Sequence, residues 1–166
     1  MLRKILTIST AGFALASMSG SVQAATATAS ASATILTPIA IATTTNMSFG
    51  DVYADNVSSG TVVLDTAGAR TVTGGASTGP TAGTAAVFAV TGTPSATYAV
   101  TLPATPVTIQ NVALDSMTVD TYVSNSGGAL SGAGTDSFNV GATLNVGISQ
   151  PTGSYTGNFD VTVNYN

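Results

Sequence analysis

Apolar and polar residues alternate in short runs along much of this chain, and the clearest run is the last one. It follows a Gly-rich turn and contains four apolar residues with polar ones between them, Phe159, Val161, Val163 and Tyr165. A period of two residues is typical of a β-strand with one buried face. Because such a strand must pair with another, its partner distinguishes a closed domain from a subunit that assembles.

Shorter runs of the same kind precede this strand and are separated by turn signals containing Gly, Pro or Asn. None of them carries the apolar stripe of an amphipathic helix. The pattern therefore predicts an all-β fold, an Ig-like β-sandwich of about eight strands, with a β-barrel as the alternative.

Two neighbouring runs in the middle of the chain, residues 84–91 and 98–102, are joined by a short turn containing Pro94. The alternation in both runs and the short turn predict an antiparallel hairpin. Two stretches rich in Gly, Ser and Thr, residues 74–83 and 124–135, are predicted to be long loops.

Two later runs predict which side chains are buried. Met117, Val119 and Val123 share one face of a strand, and Tyr122 lies on the other face. The next run is longer and alternates five apolar residues, Phe138, Val140, Leu144, Val146 and Ile148. Gly141 interrupts it, which indicates a β-bulge or the close approach of another segment.

The first 24 residues have the order of parts found in secretory signal peptides. Arg3 and Lys4 form a positive start, an apolar stretch follows, and small residues precede a cleavage site after Ala24. The apolar stretch is too short for a permanent membrane anchor. We therefore expect residues 1–24 to be removed on export, leaving a chain without a transmembrane anchor in the periplasm, on the cell surface or outside the cell.

Charge is sparse in the remaining chain. After residue 24, Arg70 is the only basic side chain, against seven Asp and no Glu. Nucleic acid is excluded as a partner because binding its phosphates requires clustered Lys or Arg. Arg70 itself is expected either to pair with an Asp and fix a loop, or to be exposed.

The residue types of most catalytic sites are missing. The chain contains no His and no Cys, so the common general base, the thiol nucleophile and the usual zinc ligands are absent. Asp side chains could form a carboxylate pair or a calcium site, but Asp is also a common turn residue and no calcium-loop motif occurs. We therefore predict no enzymatic activity, no cofactor and no metal site.

The mature chain begins with a segment of unusual composition. Residues 25–34 alternate Ala with Thr or Ser without a break, so their small side chains bury little surface. They are interpreted as an extended N-terminal segment ahead of a β-sandwich domain over residues 35–166. Pro38 interrupts the next strand, which places that strand at a sheet edge or a bend.

Three stretches together resemble a bacterial family: ATILTPIAIATTTNMSFGDV at 33–52, TAGARTVTGG at 66–75, and FNVGATLNVGISQPTGSYTGNFDVTVNYN at 138–166. They are similar, in pattern and order, to the exported domain of unknown function called DUF4402. The resemblance covers nearly the whole mature chain. It implies an exported bacterial β domain, in a Gram-negative host, and no particular activity.

The C-terminus also resembles that of chaperone-usher pilus subunits. Tyr165 is penultimate and Gly153 is fourteenth from the end, as in that family. The resemblance implies strand exchange, in which a periplasmic chaperone and then the next subunit supply a missing strand, with assembly through an outer-membrane usher. The edge of the acceptor groove would consist of Phe159, Val161, Val163, Tyr165 and Gly153. The candidate donor positions are Ala29, Ala31, Ala33, Ile35, Ile39 and Ile41.

Two functional hypotheses follow. In the first, the protein is an exported structural subunit, fimbrial or pilin-like or on the cell surface, whose partners are copies of itself or related subunits. In the second, it is a monomeric secreted binding module whose loops at 74–83 and 124–135 contact a ligand or carbohydrate. The two differ in whether residues 25–35 pack within their own domain or in another subunit.

The special role of the C-terminal run gives a first prediction. Tyr165→Ala and Val163→Asp remove or disrupt inward-facing groups of the last strand, whereas Asp120→Asn changes a polar side chain elsewhere. We expect the first two variants to give far lower yields of folded protein, measured by circular dichroism and soluble yield. Equal losses of folded protein in all three variants would contradict the special role of the C-terminal run.

Overall fold

The structure, a computed structural model, describes residues 23–166. The predicted signal peptide therefore lies outside the described residues except for its last two. The chain divides into two units, Met1–Thr34 and Ile35–Asn166. In the first unit, the described residues 23–34 are exposed and have no regular secondary structure.

The second unit contains eleven β-strands. In chain order these are β1 (Ala40–Thr45), β2 (Val52–Ala54), β3 (Gly60–Leu64), β4 (Arg70–Gly74), β5 (Ala76–Thr78), β6 (Ala86–Thr91), β7 (Tyr98–Thr101), β8 (Val107–Gln110), β9 (Ser116–Ser124), β10 (Thr135–Val146) and β11 (Thr162–Tyr165). No helix capable of crossing a membrane occurs within residues 23–166. The predicted all-β class is confirmed, with eleven strands rather than about eight; the Ig-like sandwich topology stays a prediction.

The largest sheet has seven antiparallel strands, and β10 lies at its centre. The first half of β10 pairs with β6, from Thr135↔Thr91 to Val140↔Ala86. Its second half pairs with β3 and with β9. The sheet is completed by β1 on β6, β4 on β3 and β8 on β9. One long strand therefore joins three others directly.

Two smaller sheets hold the remaining strands, β11 with β7 and β2 with β5. The predicted hairpin between residues 84–91 and 98–102 is wrong, because β6 pairs with β1 and β10 while β7 pairs with β11. The segment that connects β6 to β7 pairs with residues 131–134 instead. The N–H of Gly92 donates to Gly134 O and that of Ser95 to Ser131 O, both at 2.9 Å. Alternation indicated two strands correctly but did not specify their partners.

The two stretches predicted to be long loops contain more backbone pairing than expected. Residues 74–83 contain the end of β4 and all of β5, which pairs with β2. In the second stretch, Leu130 is buried in the core and its N–H donates to Ala96 O at 2.9 Å. Small side chains in these stretches allow the backbone to pair closely with neighbouring segments. Composition alone does not distinguish such paired segments from an open loop.

The core consists of two clusters, and β10 contributes to both. Phe138 and Val140 belong to the first cluster, with Phe88, Tyr98 and Val163 among the others. The second cluster includes three further β10 residues, Ala142, Leu144 and Val146, together with Val62, Ala76 and Val119. The predicted inward face of β10 is confirmed as far as Val146, whereas Ile148 lies beyond the strand and is exposed.

Gly141 has both properties predicted for it. The register between β10 and β9 shifts next to it, since Gly141 is opposite Val123 and Thr143 is opposite Asp120. A Cβ at Gly141 would also overlap the carbonyl oxygen of Leu64. The glycine therefore allows β3 to approach β10 where β9 carries an extra residue.

The same bulge reverses the predicted faces of β9. Thr121 has a positive φ of 48°, an uncommon conformation for a β-branched residue. Beyond it, Tyr122 packs against both core clusters, while Val123 is 45% exposed. The prediction that Tyr122 lies opposite the core is therefore wrong, because one extra residue exchanges the two faces of a strand.

The central position of β10 gives a second prediction. Phe138 is 1% exposed and stacks on Phe88 with ring centroids 5.6 Å apart. Phe138→Ala should lower the free energy of unfolding by about 3–5 kcal/mol, as large-to-small core substitutions do, measured by urea denaturation. Val112→Ala, at a fully exposed position, is the control and should change it by less than about 0.5 kcal/mol. Similar losses in both variants would contradict the central role of β10.

Candidate functional site

The last strand is paired along one edge only. Within the described residues, β7 is the only strand partner of β11, with Val163↔Val100 and Tyr165↔Tyr98 in register. The N–H of Asn166 extends this ladder to Thr97 O. Because backbone groups of successive residues point to alternate edges, those of Val163 and Tyr165 face away from β7. Strand β11 therefore has a free edge.

The four alternating residues at the C-terminus all face the core. Val163 belongs to the first core cluster, and Phe159, Val161 and Tyr165 pack against it. Regular pairing begins only at Thr162, so Phe159 and Val161 lie in an irregular segment before β11. The predicted buried face is confirmed, but the strand is shorter than its sequence pattern indicated.

The hydroxyl of Tyr165 connects three parts of the domain. It donates a hydrogen bond to Thr37 O and accepts one from the N–H of Thr93, both at 2.7 Å. A Cβ at Gly92 would overlap this hydroxyl, so the arrangement requires a glycine there. Tyr165 therefore connects the C-terminal strand to the chain just before β1.

Strand β1 is also paired along one edge only, with β6 as its single strand partner among the described residues. Farther along, the N–H of Ser149 donates to Asp55 O at 2.8 Å. Residues 37–55, here called the first lip, and residues 149–165, the second lip, therefore run in opposite directions between two contacts. No backbone hydrogen bond joins the lips between Thr37–Tyr165 and Asp55–Ser149.

Between the lips lies a cleft of about 1250 Å³. Its sides are parts of both lips, and its floor is formed by apolar side chains of β6, β8, β9 and β10, including Phe88, Ile109, Val119, Leu144 and Val146. Four of these five belong to the two core clusters. The cleft therefore opens directly onto the core at the place where the two lips are not paired with each other.

Arg70 supports the first lip. Its guanidinium donates to the carbonyl oxygens of Phe49 at 2.8 Å, Asp51 at 2.9 Å and Gly79 at 3.1 Å. The carboxylate of Asp51 accepts hydrogen bonds from Thr81. Of the two roles expected for Arg70, it fixes a loop, although through backbone carbonyls rather than an Asp side chain.

Gly153 lies in the second lip, within the irregular segment before β11, and lines the cleft. A Cβ there would be 3.2 Å from Nδ2 of Asn111. Asn111 is buried and closes the loop between β8 and β9 through hydrogen bonds to Asp115 and Ala113. The glycine therefore allows the second lip to approach this loop.

The candidate donor positions fall into two groups. Ala29, Ala31 and Ala33 lie in the exposed segment without regular structure. In the other unit, Ile35 is 96% exposed, whereas Ile39 and Ile41 pack against the first core cluster of their own domain. Alternation alone did not separate these groups.

Tyr122 is a residue of the cleft that the sequence did not indicate. Its hydroxyl oxygen is buried and has no hydrogen-bond partner among the described residues. Burial, together with the charge of Asp120, raises the pKa of Tyr122 to about 12, so the hydroxyl stays protonated at neutral pH. The bulge at Thr121 determines its position, and no sequence signal reveals that bulge.

The chemical character of the cleft comes from its lining residues. Its floor is apolar, and within residues 23–166 no three acidic, His or Cys side chains are close enough to hold a metal ion. An apolar surface between two segments that are not paired with each other is suited to an extended peptide segment, whose side chains can cover it.

Comparison with known proteins identifies the family. The sequence pattern of a family described as "Domain of unknown function (DUF4402)" matches residues 39–165, and the chain belongs to this family. The suspected family is thus confirmed. No curated protein matches the chain. No solved structure matches it either.

The contacts of Tyr165 give a third prediction. Tyr165→Phe removes the acceptor of the partly buried Thr93 N–H and one of the two donors to Thr37 O, which keeps only the hydroxyl of Thr93. We expect the free energy of unfolding to fall by about 1–3 kcal/mol in urea denaturation. Tyr53→Phe, at a mostly exposed tyrosine, is the matched control and should change it by less than about 0.5 kcal/mol. A Tyr165→Phe variant as stable as the control would show that these hydrogen bonds contribute nothing.

Proposed function

We propose that this protein is an exported structural subunit, fimbrial or pilin-like or on the cell surface, that assembles by β-strand exchange. The observation that carries the proposal is the cleft between the two unpaired lips. A strand inserted there would gain backbone hydrogen bonds from the parts of the lips that line the cleft, within residues 43–54 and 149–159, and would cover the apolar floor. The inserted strand is supplied by residues 25–34 of a second copy or of a related subunit.

The length and charge of this N-terminal segment suit the role. Ten extended residues span about 33 Å, and the six residues of β1 span about 20 Å, at roughly 3.3 Å per residue. The segment contains no charged side chain, and the floor of the cleft contains none. An uncharged strand can therefore cover the floor without burying a charge, which would be costly.

Export through the signal peptide places assembly in the periplasm or at the surface of a Gram-negative cell. There a periplasmic chaperone would protect the cleft until a subunit's N-terminal segment replaces it, and an outer-membrane usher would be the site of assembly. Protection is physically reasonable because a free strand edge beside an exposed core favours aggregation.

A second candidate function is a monomeric binding module. It is supported by the concave shape and apolar floor of the cleft, whose volume of about 1250 Å³ is large enough to hold a ligand that occupies roughly 300–1,000 Å³. In that case the ligand would bind in the cleft rather than at residues 74–83 and 124–135. The two functions differ in whether residues 25–34 are required.

The fourth prediction concerns this segment. The mature chain should form ladders or filaments, measured by light scattering and electron microscopy, and deletion of residues 25–34 should abolish them. A double variant, Ala29→Pro with Ala31→Pro, keeps the length but removes two backbone donors, and it should also block assembly. Ala25→Pro is the matched control because it affects only the end of the segment.

A stable monomeric mature chain would contradict strand exchange. If that monomer also lost stability on deletion of residues 25–34, the segment would be an internal strand of its own domain. Coexpression with a periplasmic chaperone that raises the soluble yield would support assembly. Filaments that persist without the segment would exclude it as the donor.

A further inference from the structure

Tyr122 lines the cleft, and its position there is energetically unfavourable in two respects. Its place depends on a bulge and on a positive φ at Thr121, and its buried hydroxyl has no partner among the described residues. Unsatisfied buried polar groups and strained backbones are both unfavourable, and both are common at functional sites. A Phe would fill the same space without an unsatisfied hydroxyl. The hydroxyl is therefore suited to a hydrogen-bond partner from outside residues 23–166 of its own chain.

The geometry of an inserted strand limits what that partner can be. In a strand paired with both lips, the backbone N–H and C=O groups point sideways to the lips, and only side chains point toward the floor. Residues 25–34 contain only Ala, Thr and Ser. Of these, only Thr and Ser can bond to a hydroxyl on the floor.

We infer that Tyr122 is a specificity-determining residue, which selects the inserted strand by hydrogen-bonding a Ser or Thr hydroxyl from residues 25–34 of a second copy. This inference rests on the proposed strand exchange. It places the hydroxyl face of the segment, including Thr28, Ser30 and Ser32, toward the floor. Ala29 and Ala31, expected from the sequence to be the inward contacts, then face outward.

Phe159 packs against Tyr122. The two rings are in contact, with centroids 5.1 Å apart. Phe159 lies in the irregular part of the second lip and also borders a second cavity of about 300 Å³. Because the Tyr122 hydroxyl is buried in this structure, the inference requires an inserted strand to displace the segment around Phe159.

The selection would explain why the segment lacks large apolar side chains. If the cleft recognised only apolar bulk, an aliphatic strand would bind more tightly than one made of Ala, Thr and Ser. A site that hydrogen-bonds a hydroxyl instead disfavours a strand without one, because its own polar group stays unpaired. Tyr122 would thus favour this chain's own segment over unrelated aliphatic strands.

The test measures binding of two fluorescent peptides to the mature protein, at concentrations too low for self-assembly. One peptide has the sequence of residues 25–36; in the other, every Thr is replaced by Val and every Ser by Ala. Fluorescence anisotropy should show that the wild-type protein binds the natural peptide about five- to tenfold more tightly, the effect of roughly one hydrogen bond. Tyr122→Phe should bind the two peptides equally or prefer the aliphatic one.

Thermal unfolding of the same proteins separates selection from a structural role. Tyr122→Phe should melt at the same temperature as the wild type or higher, because it removes an unsatisfied group. A lower melting temperature together with an unchanged peptide preference would overturn the inference, as would equal binding of both peptides by the wild type. In those cases strand exchange itself still stands if the natural peptide binds. If neither peptide binds, both strand exchange with this segment and the role of Tyr122 fail.

Discussion

The hydrogen bonding of β10 is the constraint on which most of the domain depends. This strand pairs with β6 along its first half and with β3 and β9 along its second half. Its inward side chains also contribute to both core clusters. Strands near the two ends of the described domain have single strand partners, β1 on β6 in the large sheet and β11 on β7 in a separate sheet. The free edges described above therefore belong to strands that do not pair with β10.

Free edges are usually protected in native proteins, since they attract other strands. Here the cleft lies between the two lips that contain β1 and β11, and part of its floor belongs to the core clusters. The lips are connected at each end, by Tyr165 with Thr37 and by Ser149 with Asp55. Arg70 holds the first lip through three backbone carbonyls. These contacts hold the two lips in place on either side of the cleft. This arrangement supports a role of the cleft in receiving a strand.

The composition of the domain fits this construction. A chain without Cys has no disulfides, so its stability depends on packing and on hydrogen bonds between strands. Small residues allow backbones to approach closely, as Gly141 does beside Leu64 and Gly92 beside Tyr165. The cleft, by contrast, is lined by six aromatic residues, Phe49, Tyr53, Phe88, Tyr122, Tyr155 and Phe159.

Sequence reasoning was most accurate where a strand is regular. The alternation from Phe138 to Val146 and from Phe159 to Tyr165 correctly predicted which side chains face the core. It was wrong for Tyr122 and Val123, because the bulge at Thr121 adds one residue and exchanges the faces. It was also wrong for the hairpin, because the chain between β6 and β7 pairs with residues near Gly134 instead. The lips lie far apart in the sequence, so no local pattern indicated the cleft between them.

By itself the sequence determined the all-β class, the family, the acidic character of residues 25–166 and the inward faces of the regular strands. These are local or compositional properties, since alternation with a period of two needs only neighbouring residues. Only the tertiary structure decided the partners of β6, β7 and β11, the cleft between the lips and the place of Tyr122. Strand pairing joins residues distant in the chain, and a single inserted residue reverses a face, so neither can be read from a local pattern.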